Sequence, residues 1–357
     1  MALFDARSAT QLFNAADPRN VAFSAHLASS PTTYVWSTTG HDRIHARGTG
    51  FTTGADRKAT GGTATSVAID LNGDGDIDAS IARISVPLTA LVASPNSFWQ
   101  TLLAGHDTLY AATGFGSVLF GDFLEVVGTT FVIGGRDSIT GGTGPGQNLY
   151  GDAQAVGEHH DAGGDIGKLT GGRDTIIARN TSGNSLIIGD ARNVESGSQL
   201  RGNADILTGS DGRGDTIIGD AERVFDSTAT GGNDIINGRG GDDLLIGDVK
   251  AVQRFPGATS GPEGVGGNDL INGGGGDDTI MGDFMFVADN QVGAISSAFC
   301  GNDRLNGNDG DDVIYGDAVE ANDAFLNFGR DQIDGVAGDD TIFGDARTLP
   351  AGLPPDV

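Results

Sequence analysis

The stretch GGNDLINGGGGDDTIMGD, residues 266–283, decides the fold of this chain. It contains seven glycines and four aspartates in eighteen residues, a composition that no ordinary globular core has. Ile271 and Ile280 stand nine residues apart, and a glycine-rich segment precedes each of them. Glycine supplies the positive φ angles and the close backbone approach that tight turns need. The stretch therefore predicts very short strands joined by glycine-rich turns.

The same pattern recurs along most of the chain. A tetrad U-x-Gly-Asp, in which U is an aliphatic residue, occurs eight times at intervals of 28 to 38 residues and defines units one to eight. Such a repeat predicts a solenoid, in which each unit packs only against its neighbours. The tetrad aspartates are Asp122, Asp152, Asp190, Asp220, Asp248, Asp283, Asp317 and Asp345.

Two further positions are fixed within each unit. The first anchor opens an Asp-x-U segment and is Asp107, Asp137, Asp174, Asp205, Asp234, Asp269, Asp303 or Asp331. The second anchor follows 9 to 11 residues later and is Ser117, Gln147, Ser185, Asp215, Asp243, Asp278, Asp312 or Asp340. The aliphatic residues after the anchors would point inward, so a parallel coil with one ladder of Ile and Leu is expected.

These residues resemble the G-G-x-G-x-D-x-U-x nonapeptide of repeats-in-toxin (RTX) proteins, the calcium-binding β-helix repeat. The resemblance covers about residues 104–346 and is closest over 231–346. It implies an all-β, right-handed parallel β-roll or β-helix, in which the turns of adjacent rungs hold several Ca²⁺ ions. It also implies a domain that folds when calcium arrives.

The resemblance implies a set of calcium ligands at the motif's aspartate positions. In the last four units these are Asp234, Asp243, Asp269, Asp278, Asp303, Asp312, Asp331 and Asp340, and the earlier candidates are Asp107, Asp137, Asp174, Asp205 and Asp215. Units one to three depart from the pattern at the second anchor, where Ser or Gln replaces Asp. This departure weakens the expectation of calcium on that side of those units.

Physical chemistry independently favours a cation in these turns. Ca²⁺ takes six to eight oxygen ligands, and carboxylates on successive rungs repel one another until a cation neutralises them. The alternative is that Asp and Gly serve only as turn formers. Turn formation alone does not require Asp at the same step on both sides of a coil.

Composition excludes several classes of protein. The chain has 357 residues with 48 acidic and 21 basic side chains, a net charge of −27, so nucleic acid and anionic membrane surfaces are not expected partners. No apolar run reaches 18 residues, so no membrane span is expected. Cys300 is the only cysteine, so we expect metal ions, rather than disulfides within the chain, to stabilise the fold. The N-terminus lacks a conventional signal peptide, so we expect an extracellular or cell-surface protein exported by another route.

Each unit is longer than the RTX resemblance requires. The excess begins after each Gly-Asp and carries an apolar residue four positions beyond the Asp, such as Val224 or Val252. The residue after U is also apolar in all eight units: Phe120, Tyr150, Ile188, Ile218, Ile246, Met281, Tyr315 and Phe343. Since an exposed apolar row of this size is unusual, we expect a third leg that folds back over it, with a variable loop closing each turn. A homo-oligomer that buries the row is the alternative.

Residues 1–103 have fewer Gly-Asp pairs and longer alternating runs than the rest of the chain. They are predicted to form a β-rich N-terminal region, ahead of a solenoid at 104–357. The segment DLNGDGDID places Asp70, Asn72 and Asp74 as in the start of a calcium loop, but Ile81 stands where an EF-hand has its glutamate. A single calcium ion in a β-hairpin loop is expected there, with a solvated turn as the alternative.

Two functions are compatible with these features. The first is a secreted or cell-surface calcium-binding structural or interaction module, with a polysaccharide or cell-surface ligand as a conceivable partner. The second is a calcium-dependent enzyme (a lyase, epimerase or isomerase, with carbohydrate as one candidate substrate class), with its site in the loops after the tetrads. His159 and His160 are the only catalytic candidates that the sequence offers for it, and a solvated acidic loop is the plainer interpretation of their segment. An ice-binding face is a third, weaker alternative.

Overall fold

The computed structural model describes residues 2–6, 13–14, 22–71, 73–103, 105–111, 113, 116–126, 131–157, 166–181, 183–212, 214–254, 262–288, 297–322 and 325–348. It is an all-β parallel solenoid preceded by a β-rich region, which confirms the predicted fold class. Each unit adds one strand to a first, a second and a third parallel sheet. Units two to eight also add a strand to a fourth sheet.

The first and second sheets hold the two segments that follow the anchors. In the first sheet the strands are Thr108–Tyr110, Ser138–Thr140, Thr175–Ile177, Ile206–Thr208, Ile235–Gly240, Leu270–Gly275, Arg304–Asp309 and Gln332–Ala337. In the second sheet they are Ser117–Phe120, Gln147–Tyr150, Leu186–Ile188, Thr216–Ile218, Leu244–Ile246, Thr279–Met281, Val313–Tyr315 and Thr341–Phe343. The U residues pair with one another throughout, for example Ile236 with Ile271 and Leu245 with Ile280. The variable repeat length is therefore absorbed outside the strands.

The third and fourth sheets are built from the excess in each unit. The third-sheet strands are Phe123–Val126, Ala153–Val156, Ala191–Val194, Ala221–Phe225, Val249–Gln253, Phe284–Ala288, Ala318–Asn322 and Ala346–Thr348. The fourth-sheet strands are Val132–Ile133, Lys168–Thr170, Gln199–Arg201, Thr228–Thr230, Glu263–Val265, Ser297–Phe299 and Phe325–Asn327. The expected third leg is thus present, and a fourth short strand completes the coil after each variable loop.

Two apolar cores result from the four sheets. The first core contains the Ile and Leu ladders of the first two sheets together with the apolar row after U. The second core lies between the third and fourth sheets and contains Val224, Val252 and Ala229. Val224, Val252 and Ile218 are fully buried, as expected, although Val224 and Ile218 lie in different cores.

The apolar row is covered within the single chain. Leu124, Met285 and Val319, each the second residue of a third-sheet strand, pack against the core that includes the row. Arg192 and Glu222, which hold this second position in two neighbouring strands, form an ion pair at 3.0 Å. No second copy of the chain is needed to bury these side chains.

The N-terminal region is an antiparallel meander joined to the solenoid. Its elements are β1 (Leu3–Asp5), β2 (Phe13–Asn14), β3 (Phe23–Ser30), β4 (Thr33–Thr38), β5 (Arg43–Thr53), β6 (Ala59–Asp70), β7 (Ala79–Pro87), α1 (Leu88–Leu91) and α2 (Pro95–Leu103). Strand β1 pairs antiparallel with β7 and parallel with the first solenoid strand, so the meander continues into the first sheet. Ser94 caps α2, since its Oγ accepts the Ser97 N–H at 3.0 Å. The division at residue 103 stays a prediction.

Among the described residues no helix is long and apolar enough to cross a membrane. The longer of the two described helices, α2, has nine residues.

Candidate metal centre

The first anchors and the tetrad aspartates meet in one buried column, the inner file. The tetrad aspartates join the second sheet to the third, and the first anchors join the fourth sheet to the first, so both sets lie where the chain passes between the two cores. In unit five, the Asp220 Oδ1 from the previous unit accepts the Gly232 N–H at 2.9 Å, two residues before Asp234. The Asp234 Oδ2 lies against the Gly219–Asp220 link: a Cβ at Gly219 would fall 2.2 Å from it.

The first anchors form a continuous ladder through the inner file. The backbone N–H of each one donates to the Oδ1 of the next, at 2.6 Å from Asp107 to Asp137 and at 2.9 Å from Asp303 to Asp331. The other oxygen of each carboxylate is buried. Within the described part of the chain, Oδ2 has no hydrogen-bond partner in Asp137, Asp174, Asp205, Asp234, Asp269, Asp303 and Asp331.

Several tetrad aspartates likewise have one carboxylate oxygen that accepts a hydrogen bond and one that does not. The Asp248 Oδ1 accepts the Gly267 N–H at 2.8 Å, and the Asp283 Oδ1 accepts the Gly301 N–H at 2.7 Å. The second oxygen of both carboxylates is buried without a partner among the described residues, as is that of Asp220 and Asp317. From the sequence, these aspartates were predicted only to mark the repeat and not to take part in the site. Their presence in all eight units was the signal that could have identified them.

Burial disfavours the ionised form of the inner-file carboxyl groups. It is the main cause that raises the pKa of Asp220 to about 6 and that of Asp122 to about 7. Burial, and after it the neighbouring carboxylates Asp205, Asp220 and Asp152, raises the pKa of Asp190 well above its ordinary value. The groups of such a column cannot all ionise in a medium of low polarity unless cations compensate their charge; without cations, some of the carboxyl groups stay protonated.

A second column, the outer file, follows the turn between the first and second sheets. It contains the second anchors Asp215, Asp243, Asp278, Asp312 and Asp340. Each backbone N–H again donates to the next Oδ1, at 2.6 Å from Asp215 to Asp243 and at 2.8 Å from Asp243 to Asp278. The Oδ2 atoms of Asp243, Asp278 and Asp312 have no partner in the described part of the chain. Burial is the main cause that raises the pKa of Asp243 to about 8 and that of Asp278 to about 7.

The glycine-rich sequence shapes the turn at the outer file. In unit five the turn takes positive φ at Arg239 (74°) and Gly241 (110°). Beside the buried second anchors runs an exposed ladder, in which the Asp277 N–H donates to the Asp242 Oδ1 at 3.0 Å and the Asp311 N–H to the Asp277 Oδ1 at 2.9 Å. The outer file therefore lies directly under solvent-exposed turns.

Units one to three fill the second-anchor position with neutral groups. Ser117 and Gln147 are paired in the second sheet, and the Gln147 Nε2 donates to the Gly144 carbonyl at 3.0 Å. The Ser185 N–H donates to the Asp215 Oδ1 at 2.6 Å, so the outer file of carboxylates begins at unit four. The inner file, in contrast, has aspartate at both of its positions in every unit.

These donors fit calcium. Ca²⁺ takes hard carboxylate oxygens as ligands. The buried oxygens of the two files that have no hydrogen-bond donor in the described part of the chain are of this kind. The structure brings the candidates Asp107, Asp137, Asp174, Asp205, Asp234, Asp269, Asp303 and Asp331 into the inner file, and Asp215, Asp243, Asp278, Asp312 and Asp340 into the outer file. Their role as ligands stays a prediction.

The N-terminal loop lies apart from both files. It connects the antiparallel strands β6 and β7, and it is closed by the Gly75 N–H on the Asp70 Oδ2 at 3.1 Å and the Leu71 N–H on the Asp78 Oδ2 at 2.8 Å. Asp70 is buried and Asp74 is exposed. Asn72, like His159 and His160, lies outside the described residues, so a calcium ion in this loop also stays a prediction.

Comparison with known families identifies the repeats. The model of the RTX calcium-binding nonapeptide repeat matches four segments, residues 228–249, 263–284, 301–318 and 325–346. The last four units are therefore RTX repeats, as their resemblance predicted, and calcium is the ion that such repeats bind. No curated protein and no solved structure matches the chain.

Proposed function

We propose that this protein is an exported calcium-dependent structural module, whose solenoid folds when Ca²⁺ fills the two files. The observation that carries the proposal is the set of buried carboxylate oxygens that have no partner among the described residues. Each backbone ladder fixes one oxygen of its aspartates, and the other oxygen is without a hydrogen-bond partner in most of those that the structure describes. Asp215 is an exception, because its Oδ2 accepts the Ser210 N–H at 2.7 Å. Ions at these positions would cross-link successive coils along the whole solenoid.

The energetic argument concerns the metal-free state. Sixty glycines increase the conformational entropy that folding removes, and a net charge of −27 opposes compaction. The buried aspartates add their own desolvation cost. Bound Ca²⁺ offsets the last two terms, so its binding free energy becomes folding free energy.

Circular dichroism with and without a chelator tests the proposal. We expect a weak, coil-like spectrum in chelator and a β-signature that develops at about 10⁻⁴–10⁻³ M Ca²⁺, the range of extracellular modules. Mg²⁺ at the same concentration is the control, since its strict octahedral geometry suits these files poorly. The same β-spectrum in chelator and in calcium would rule the switch out.

Calcium at that concentration is available outside cells, which is the basis for proposing export or cell-surface location. No observation on the described residues favours the enzyme alternative, a polysaccharide ligand or a second copy of the chain. Detection of the protein in the secreted fraction and in the cytoplasmic fraction of expressing cells checks the location. A protein found only in the cytoplasm would contradict export and leave the calcium measurement unaffected.

A further inference from the structure

Unit seven departs from units two to six at one position of the inner file, where unit eight has Phe328. Three residues before the first anchor, units two to six all have glycine, and unit seven has Cys300. The glycines are Gly134, Gly171, Gly202, Gly231 and Gly266.

This position faces the gap between successive tetrad carboxylates. A Cβ at Gly231 would fall 1.7 Å from the Asp248 Oδ1 and 2.8 Å from the Asp220 Oδ2. A Cβ at Gly266 would stand in the same relation to Asp283 and Asp248, again at 1.7 and 2.8 Å. The cysteine of unit seven therefore projects its side chain between two buried carboxylates.

In unit seven these carboxylates are Asp283 and Asp317. The Cys300 Sγ and one carboxylate oxygen from each lie within 4.8 Å of one another. Both aspartates are 0% exposed. Each has its Oδ1 held by a glycine N–H at 2.7 Å, and the Oδ2 of each accepts no N–H or O–H among the described residues. The Cys300 thiol is within hydrogen-bonding reach of the Asp317 carboxylate.

We propose that Cys300, Asp283 and Asp317 form a separate site for a thiophilic divalent cation of the Zn²⁺ type, set within the inner file. Zn²⁺ accepts thiolate sulfur together with carboxylate oxygen, whereas Ca²⁺ takes oxygen ligands. Binding forms the metal–sulfur bond and releases the thiol proton to solvent. Unit seven thus differs from units two to six in the metal that it selects.

Cadmium titration of the full chain in saturating Ca²⁺ is the first test. Cd²⁺ is the probe because its bond to a thiolate gives an ultraviolet charge-transfer band. We expect a band that saturates at one equivalent and persists in excess calcium. A chain that shows no band overturns the proposal.

Zn²⁺ affinity, measured by competition with a chromophoric chelator, is the second test. Cys300→Gly restores the residue that units two to six use, so this variant is expected to fold in calcium as the native chain does. Its Zn²⁺ affinity should fall at least about tenfold, since even outer-shell partners of a metal are worth roughly 10–100-fold. Equal Zn²⁺ affinity in the two proteins contradicts the site.

Asp317→Asn separates a three-ligand site from a bare thiol. It keeps Cys300 and should lower Cd²⁺ affinity at least about tenfold, whereas the control Asp56→Asn, at an exposed residue of the N-terminal meander outside both files, should not change it. Undiminished Cd²⁺ affinity in Asp317→Asn means that the thiol alone holds the ion and overturns the proposal. Circular dichroism of each sample measures calcium-dependent folding separately. If Asp317→Asn does not fold, the comparison of Zn²⁺ affinity between the native chain and Cys300→Gly still tests the site.

Discussion

At the scale of single residues, Gly231 and Gly275 have opposite surroundings. A methyl group at Gly231 would collide with the Asp248 carboxylate, 1.7 Å away, whereas nothing lies within 4 Å of the same point at Gly275. We expect Gly231→Ala to destabilise the calcium-loaded protein by about 1–3 kcal/mol, the usual cost of overpacking. Gly275→Ala, the control, should change stability by about 0.5 kcal/mol or less. Urea unfolding in saturating calcium measures both, and similar losses for the two variants would contradict a crowded inner file.

The raised pKa values predict an unusual dependence of the metal-free fold on pH. An aspartate in an unfolded chain has a pKa of about 3.9, while burial raises that of Asp220 to about 6 and that of Asp243 to about 8. Groups with a raised folded-state pKa contribute stability that is present below the unfolded pKa and is lost as pH rises through the folded pKa. Whatever fold survives in chelator should therefore be most stable near pH 4 and should disappear by about pH 8.

We expect calcium to reverse this dependence, because its proposed ligands are the ionised carboxylates. We expect calcium affinity to rise from pH 5 to pH 8 and binding near pH 6–7 to release protons, which calorimetry in buffers of different ionisation enthalpy detects. The neutral second anchors Ser117, Gln147 and Ser185 do not titrate, so the effect comes from the inner file and from Asp243, Asp278 and Asp312 of the outer file. A calcium affinity independent of pH would show that the carboxylates remain ionised in the metal-free state.

At the scale of elements, the third-sheet strands decide whether the apolar row is protected by the chain itself. Val224 and Ile218 are both fully buried. Val224→Ala should cost about 1–3 kcal/mol, and Ile218→Asp should cost more because its charge would lack a partner. The exposed Asn237, changed to Lys, is the control and should cost about 0.5 kcal/mol or less. Thermal melts with size-exclusion chromatography in saturating calcium measure these effects, and a folded Ile218→Asp monomer with an unchanged melting point would place the cover elsewhere.

The repeat made part of this architecture predictable from the sequence. The anchors and the apolar residues keep their spacing in all eight units, so the first three strands of each unit could be inferred. The fourth strand could not, because its central residue varies from Leu200 through Ala229 to Gly264 and it follows a loop of variable length. The inner file was only half inferred: no local pattern shows that the chain returns so that Asp220 meets the Gly232 N–H.

At the scale of the whole molecule, the two files have different access to solvent. The inner file lies between the two apolar cores, and its tetrad members Asp220, Asp248 and Asp283 are 0% exposed. The outer file lies beneath turns whose residues Asp242 and Asp277 are exposed. We therefore expect that an ion bound in the outer file would leave by a local opening of one turn, whereas an ion bound in the inner file would leave only when the sheets separate.

Calcium release should therefore have two phases. Mixing the loaded protein with a chromophoric chelator is expected to give a fast phase without loss of the β-spectrum, from the outer file, and a slow phase that coincides with unfolding, from the inner file. Asp278→Asn should reduce the fast amplitude, and Asp248→Asn, the matched change in the inner file, should reduce the slow one. A single phase in which all calcium leaves together with the circular dichroism signal would show that the two files open as one cooperative unit.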